Sequence, residues 1–332
     1  MGNSIGSDSF SHPELKKEIE SKYQARGEVE DERMGRISIY NHKYDPHRQI
    51  MFKKQWTNTV EDSTQLHTFI QSRRQLEHKN LSTLPFYEIT EEKQMFSTFY
   101  LHTMGFEYFA KTLESELANR SQIQEDDLET AYSTVKYYSE SEIWYIINVL
   151  CSVVGTFKDQ DYPHGDIQPK NIMIDNEGKM KILDSLLINY GETGYRKMVF
   201  SPTYKAPLSP LLLEAYKGKV LNPEHDKVKS DIWSIGITVL CAANNTNFNR
   251  YYDWRIPAIL NHNAQLVNPK LNDTIGADLA NMKVLGFSDE LVHTIQTMLS
   301  VDEVNRPDID FLLGFLNERV AEEVHNTEFM VQ

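Results

Sequence analysis

Residues 164–174 read H-G-D-I-Q-P-K-N-I-M-I, and K-I-L-D follows at 181–184. Asp166 stands five residues before Asn171 on one short loop, and Asp184 stands eighteen residues after Asp166, at the end of the next strand-like run. A carboxylate so placed can accept the proton of a substrate hydroxyl. An amide and a second carboxylate beside it can hold Mg²⁺ against phosphate oxygens. Those are the parts phosphoryl transfer requires: a positioned nucleophile and a metal that offsets charge. His164 reads as a packed side chain supporting the loop rather than as an acid or base.

Ahead of the loop, Ser139 and Glu142 have the S-x-x-E spacing of a capping box. Behind that box, Ile143, Ile147, Leu150 and Val154 repeat as the apolar stripe of an amphipathic helix. Helical patterns dominate from there on, including D-I-W-S-I-G-I-T-V-L at 231–240 and D-E-L-V-H-T-I-Q-T-M-L at 289–299. The first third differs. It carries strand-like runs at 36–41, 49–56 and 95–102 and one helical stretch at about 63–78. Residues 118–136 are polar and acidic and read as an insertion or connecting loop. The expected class is α+β, with a small β-rich front lobe carrying one helix and a larger helical rear lobe. Ligands tend to bind in the cleft that such lobes enclose.

The whole chain has 332 residues, 34 of them Lys or Arg and 48 Asp or Glu, for a net charge of −14. With 40% hydrophobic and 25% charged residues it has the balance of a soluble globular protein, which excludes wholesale disorder. Net acidity argues against nucleic acid as a partner, because that needs a basic footprint. Two cysteines, Cys151 and Cys241, cannot make a disulfide framework, and they read as core residues of a protein in a reducing cytoplasm. No run approaches the ~18 apolar residues of a transmembrane helix, and the first ten residues lack the pattern of a secretory signal. Gly2 matches the myristoylation pattern M-G-x-x-x-[ST] only in part, since Gly6 holds the sixth place and the serine is Ser7. The expectation is cytoplasmic, with a peripheral membrane site only if Gly2 is lipidated. His42, His47, His67 and His78 show no zinc spacing.

The 164–174 segment with its later Asp resembles the protein-kinase catalytic loop H-R-D-L-x-x-x-N and the D-F-G element. S-P-T-Y-K-A-P-L at 201–208 resembles the end of an activation segment. K-S-D-I-W-S-I-G at 229–236 resembles the buried helix whose Asp, here Asp231, hydrogen-bonds the catalytic-loop backbone, and N-R-P at 305–307 the late Arg-Pro element. Aminoglycoside- and choline-type small-molecule kinases also carry H-G-D, an Asn and a later Asp, but not the activation segment or D-x-W-S-x-G. The chain is therefore identified as a divergent member of the eukaryotic protein-kinase-like family. The resemblance implies a tail over 1–22, a kinase-like domain over 23–320 with an N-lobe at 23–103 and a C-lobe at 104–320, and a tail over 321–332. It implies ATP and Mg²⁺ as cofactors and Asp166 as catalytic base. Lys53 (or Lys54) becomes the nucleotide-binding lysine, and Asn171 and Asp184 bind nucleotide and metal.

The departures from the family pattern concentrate on the nucleotide. Aligning Gly35-Arg36-Ile37 with the end of the glycine-rich turn puts Glu30 and Glu32 at its first two glycines, though a longer loop from Gly27 remains open. Glu28, Glu30, Asp31 and Glu32 make that turn acidic in any register, and acids there repel a polyanion. The small residue two places before the lysine is Met51, or Phe52 in the other register. Matching L-E-H-K-N at 76–80 to L-x-H-P-N puts Phe69 where the helix glutamate belongs, and no acid lies between Ser63 and Leu76. Gly165 replaces the loop arginine and Gln168 the lysine that steadies the γ-phosphate, while Lys170 offers a cation four places after Asp166. D-F-G becomes Asp184-Ser185-Leu186, and Leu208 deprives Arg306 of its usual buried acid unless Glu214 or another replaces it. The expected function is a pseudokinase, a binding or scaffolding module with a protein partner and weak or absent ATP binding. A divergent active Ser/Thr-type kinase is the rival, and a small-molecule phosphotransferase a weaker third.

Overall fold

The computed structural model describes residues 13–31, 35–45, 47–94, 97–126, 137–160, 162–184, 207–212, 224–253, 266–267 and 271–322. The chain divides into two compact units, Met1–Ala110 and Lys111–Gln332.

The first unit is an antiparallel sheet with two helices. Its strands are β1 (Tyr23–Asp31), β2 (Gly35–His42), β3 (Gln49–Thr57), β4 (Phe86–Gln94) and β5 (Ser97–Tyr108), in the order β1-β2-β3-β5-β4. Register sorts the residues of β3 to two faces. Phe52 pairs with Ser38 and Gly105, while Lys53 pairs with Ile37 and Met104. Helix α1 (Pro13–Lys22) supplies Ile19 to the first face, in a cluster with Tyr23, Tyr40, Ile50, Phe52 and Phe86. Thus residues 13–22, expected to be tail, are helical and part of a core. Helix α2 (Val60–Arg74) begins at Thr59, whose side chain accepts the Asp62 amide at 3.0 Å, and its side chains meet the second face. Strand β5 carries the first unit through Tyr108, past the expected 103/104 boundary.

The second unit is mainly helical. Helix α3 (Leu113–Asp126) occupies the front half of the expected loop at 118–136; residues 127–136 lie outside the described set. Helix α4 (Glu140–Lys158) starts with the expected capping box: Ser139 Oγ accepts the Glu142 amide, and Glu142 reaches back to the Ser139 amide. Its stripe of Ile143, Ile147, Leu150 and Val154 is buried. Strands β6 (Ile172–Ile174) and β7 (Met180–Ile182) form a hairpin closed by a turn at Asp175–Lys179. Helix α5 (Lys227–Asn244) is buried along most of its length, and a Cβ at Gly236 would sit 2.8 Å from Leu299, so that close approach needs glycine. Strands β8 (Tyr252–Asp253) and β9 (Leu266–Val267) pair, and α6 (Leu271–Val284), α7 (Asp289–Met298) and α8 (Ile309–Glu322) complete the unit. No helix among the described residues is long and apolar enough to cross a membrane.

Candidate active site

The second unit brings Asp166, Asn171 and Asp184 onto one scaffold. Asn171 directly precedes β6 and Leu183–Asp184 directly follow β7. Because Ile172 pairs with Ile182, the antiparallel ladder sets those two chain ends side by side. The Leu183 amide donates to the Asn171 carbonyl at 2.9 Å and fixes the junction. Within the loop, Asn171 Nδ2 donates to the Asp166 carbonyl at 2.7 Å, and the Asp166 amide donates to His164 Nδ1 at 3.2 Å. His164 is buried with its ring edge-on to Phe157, in keeping with a supporting role.

Asp231 on α5 braces the same loop. Its carboxylate accepts the His164 amide at 2.8 Å and the Gly165 amide at 2.7 Å. Burial pushes Asp231 up to about 7, against the pull of those two amides. Gly165 sits at φ +71°, where glycine is unstrained and most side chains are not. Losing the arginine of the family pattern therefore relaxes the backbone here as well as removing a cation.

Gln168 does more than omit a lysine. Its side chain is fully buried, and Nε2 donates to Asp166 Oδ1 at 2.5 Å. The orientation is forced, since the carboxylate can only accept; Oε1 is left buried without a donor. An acceptor thus stands where the family pattern has a cation, and one oxygen of the expected base is already engaged.

In the first unit the two candidate lysines of β3 fall on opposite faces of the sheet. Lys53 is only 2% exposed and lies on the Met51 face, whereas Lys54 is exposed. Met51 pairs with Phe106, and both are fully buried. Helix α2 belongs to this face too, yet its acids, Glu61 and Asp62, are confined to its first turn, and Phe69 is buried. Beside the buried Leu66, Phe69 and Ile70 of α2, a set of hydroxyls and imidazoles that sequence reasoning missed joins the helix to the sheet. His102 Nε2 lies 3.1 Å from Ser63 Oγ of α2 and 3.4 Å from Thr57 Oγ1 of β3. His102 Nδ1 lies 2.9 Å from the Tyr87 hydroxyl of β4, which is 3.2 Å from His67 Nδ1 on α2. Burial, reinforced by the charge His67 can carry, holds His102 down at about 4. The one available signal was that His102 falls on the alternation of the Met51 face, opposite Gln55.

At the β1–β2 hairpin, Glu30 pairs with Arg36 and falls in the alternation of Glu28, Ser38 and Phe52. The expectation that Glu30 meets phosphate concerns a side chain that lies outside the described ones. Glu32, Ser185, Leu186, Glu214 and Gly2 lie outside the described residues. Arg306, expected to lack its acid, is satisfied otherwise. Its guanidinium donates to the carbonyls of Ser300, Lys229 and Val301 at 2.7–3.1 Å and stacks 5.2 Å from the Trp233 ring. Trp233 Nε1 reaches the Tyr252 hydroxyl, which donates to the Leu208 carbonyl.

The family model for the protein kinase domain matches residues 38–316, most of the chain. The chain belongs to the protein kinase family. Its relatives include MAP kinase kinase mkk-4 of Caenorhabditis elegans, 27% identical over 157 residues, which is 46% of this chain and 38% of that protein. The probable serine/threonine-protein kinase mkcF of Dictyostelium discoideum is 28% identical over 36% of this chain and 16% of its own length. Dual specificity mitogen-activated protein kinase kinase sek-1 of C. elegans is 27% identical over 38% and 36%. The matched stretch thus spans well under half of each of these relatives.

Kinases of this family use ATP and Mg²⁺, and the donor set for the metal fits. Asn171 turns its NH₂ to the Asp166 carbonyl, its side-chain oxygen is of the type that ligates Mg²⁺, and Asp184 adds a buried carboxylate. Mg²⁺ ordinarily takes one or two protein carboxylates and completes its shell with phosphate oxygens and water.

Proposed function

We propose that the chain is a pseudokinase, a protein-kinase-fold binding or scaffolding module whose grip on ATP is impaired. Helix α2 carries this reading: past its first turn it offers no carboxylate to orient Lys53, and a neutral imidazole–hydroxyl set anchors it instead. Active kinases need a Lys–Glu ion pair between strand and helix, and past its first turn this helix has no acid to make it. Met51 and Phe106 further crowd that face of the sheet, and Gln168 supplies no charge to a terminal phosphate. Its partner on this reading is a protein and its compartment the cytoplasm, with membrane association only through a myristoylated Gly2.

A divergent, active Ser/Thr-type kinase is the second reading, favoured by the braced Asp166, Asn171 and Asp184. There Asp166 accepts the hydroxyl proton, Asn171 and Asp184 hold Mg²⁺, and the metal, when bound, neutralises phosphate charge. Transfer of label from γ-labelled ATP to the chain itself and to a general protein substrate separates the two. The pseudokinase reading expects no transfer above that of Asp166→Asn. Wild-type transfer that this variant abolishes establishes the kinase.

A further inference from the structure

Helix α1 and the whole of β1 precede the span that the family model matches, yet they help to line a cavity on the sheet. It measures about 420 Å³, within the range of small-molecule sites, and all its lining residues belong to the first unit. The rings of Tyr23, Phe86 and Phe109 line it, together with the polar side chains of His42, Arg48 and Gln49. Tyr23 stands edge-on to both His42 and Phe86, with ring centres 5.0 and 6.1 Å away.

The charges around the cavity are not equally committed. Glu18 and Lys22 pair with each other at 2.8 Å, and Glu107 accepts from the Thr83 amide and hydroxyl. Arg48 uses only its backbone, donating to Asp45 and accepting from His42; its guanidinium meets no acceptor among the described residues. His42 Nδ1 accepts the Tyr44 amide at 3.3 Å, which leaves the ring proton on Nε2 as a second donor. Gln49 Nε2 donates to Asn41, while its Oε1 is buried without a donor. Donors for an anion and a set of aromatic rings therefore converge on one space.

We propose that this cavity binds a small aromatic carboxylate, with its ring among Tyr23, Phe86 and Phe109 and its acid at Arg48. The arrangement takes a compact ligand rather than an extended peptide, because α1, the β2–β3 connection and residues 83–86 line the space from different directions. The site is independent of the nucleotide machinery and of whether the chain transfers phosphate.

The test titrates the full chain with 2-naphthoate, followed by saturation-transfer NMR, beside the uncharged 2-naphthalenemethanol. Saturable binding of the acid is expected, about tenfold tighter than that of the alcohol. Arg48→Gln, at an exposed position, should keep the wild-type melting temperature, weaken the acid about tenfold and leave the alcohol unchanged. Excess ATP with Mg²⁺ should not displace the acid. No saturable binding up to millimolar concentration, equal affinity for acid and alcohol, indifference to Arg48→Gln, or displacement by ATP would each overturn the proposal.

Discussion

The catalytic loop of the second unit and the β3–α2 region of the first solve the same problem differently. Around Asp166 the family's polar architecture survives: Asp231 still takes two loop amides, and Asn171 still ties the loop to β6. Between α2 and the sheet it has been replaced. Beside the buried Leu66, Phe69 and Ile70, helix α2 meets the sheet through Ser63 at His102, next to Tyr87 and Thr57, and it carries no acid past its first turn. The difference separates two jobs that one set of residues performs in an active kinase. Bracing a loop is a folding requirement and persists for stability alone. Orienting a lysine toward phosphate serves chemistry alone, so on the proposed pseudokinase reading hydroxyls and an imidazole can stand between helix and sheet at no loss to the fold.

The contrast is broken most directly at Asp231. Replacing it with Ala strands the buried His164 amide and the half-buried Gly165 amide, at about 1–3 kcal/mol in all, a fall of several degrees in melting temperature. A variant with wild-type stability would show that the loop is not braced as described.

His102→Phe tests the other side and should cost about 1–3 kcal/mol, because the hydroxyls around it lose their partner. The pH profile sharpens the point. His102 takes a proton near 6.5 when unfolded but only near 4 when folded, so its contribution is full above 6.5 and lost as pH falls toward 4. Urea unfolding across that window should show a steeper acid loss for wild type than for His102→Phe; equal slopes would remove His102 as the anchor.

Much of the second unit was legible because its signals are local. The Ser139–Glu142 capping box and the stripe of α4 lie within one helix, and the motif around Asp166 fixed the family. The choice between Lys53 and Lys54 was not legible, since α1 buries Ile50 and Phe52 while Met51 and Lys53 are buried on the other face. With both faces covered, β3 shows no apolar alternation to read. Helix α1 was hidden because P-E-L-K-K-E-I-E-S-K offers only Leu15 and Ile19 as a stripe. Helix α3 is similarly polar, with Leu113 and Leu117 as its buried leucines, so it read as loop. The carbonyl cage of Arg306 and the grip of Gln168 on Asp166 depend on geometry that residue identities do not disclose.

A smaller effect is expected at Gln168. Exchanging it for Lys restores a cation beside Asp166 and should tighten ATP about tenfold, or about 1.4 kcal/mol, while changing ADP little. An equal change for both nucleotides, or none, would mean that the side chain does not bear on the terminal phosphate.

If the loop architecture has outlived the grip on nucleotide, as proposed, thermal shift with ATP and Mg²⁺ will be small. If the dissociation constant is near the ligand concentration, stabilisation is only about 0.4 kcal/mol, a rise of roughly one degree. That is the result expected here. A Mg²⁺-dependent stabilisation near 2.7 kcal/mol, as for a site at about a hundredfold excess over its Kd, would contradict the account and make the active-kinase reading the better one.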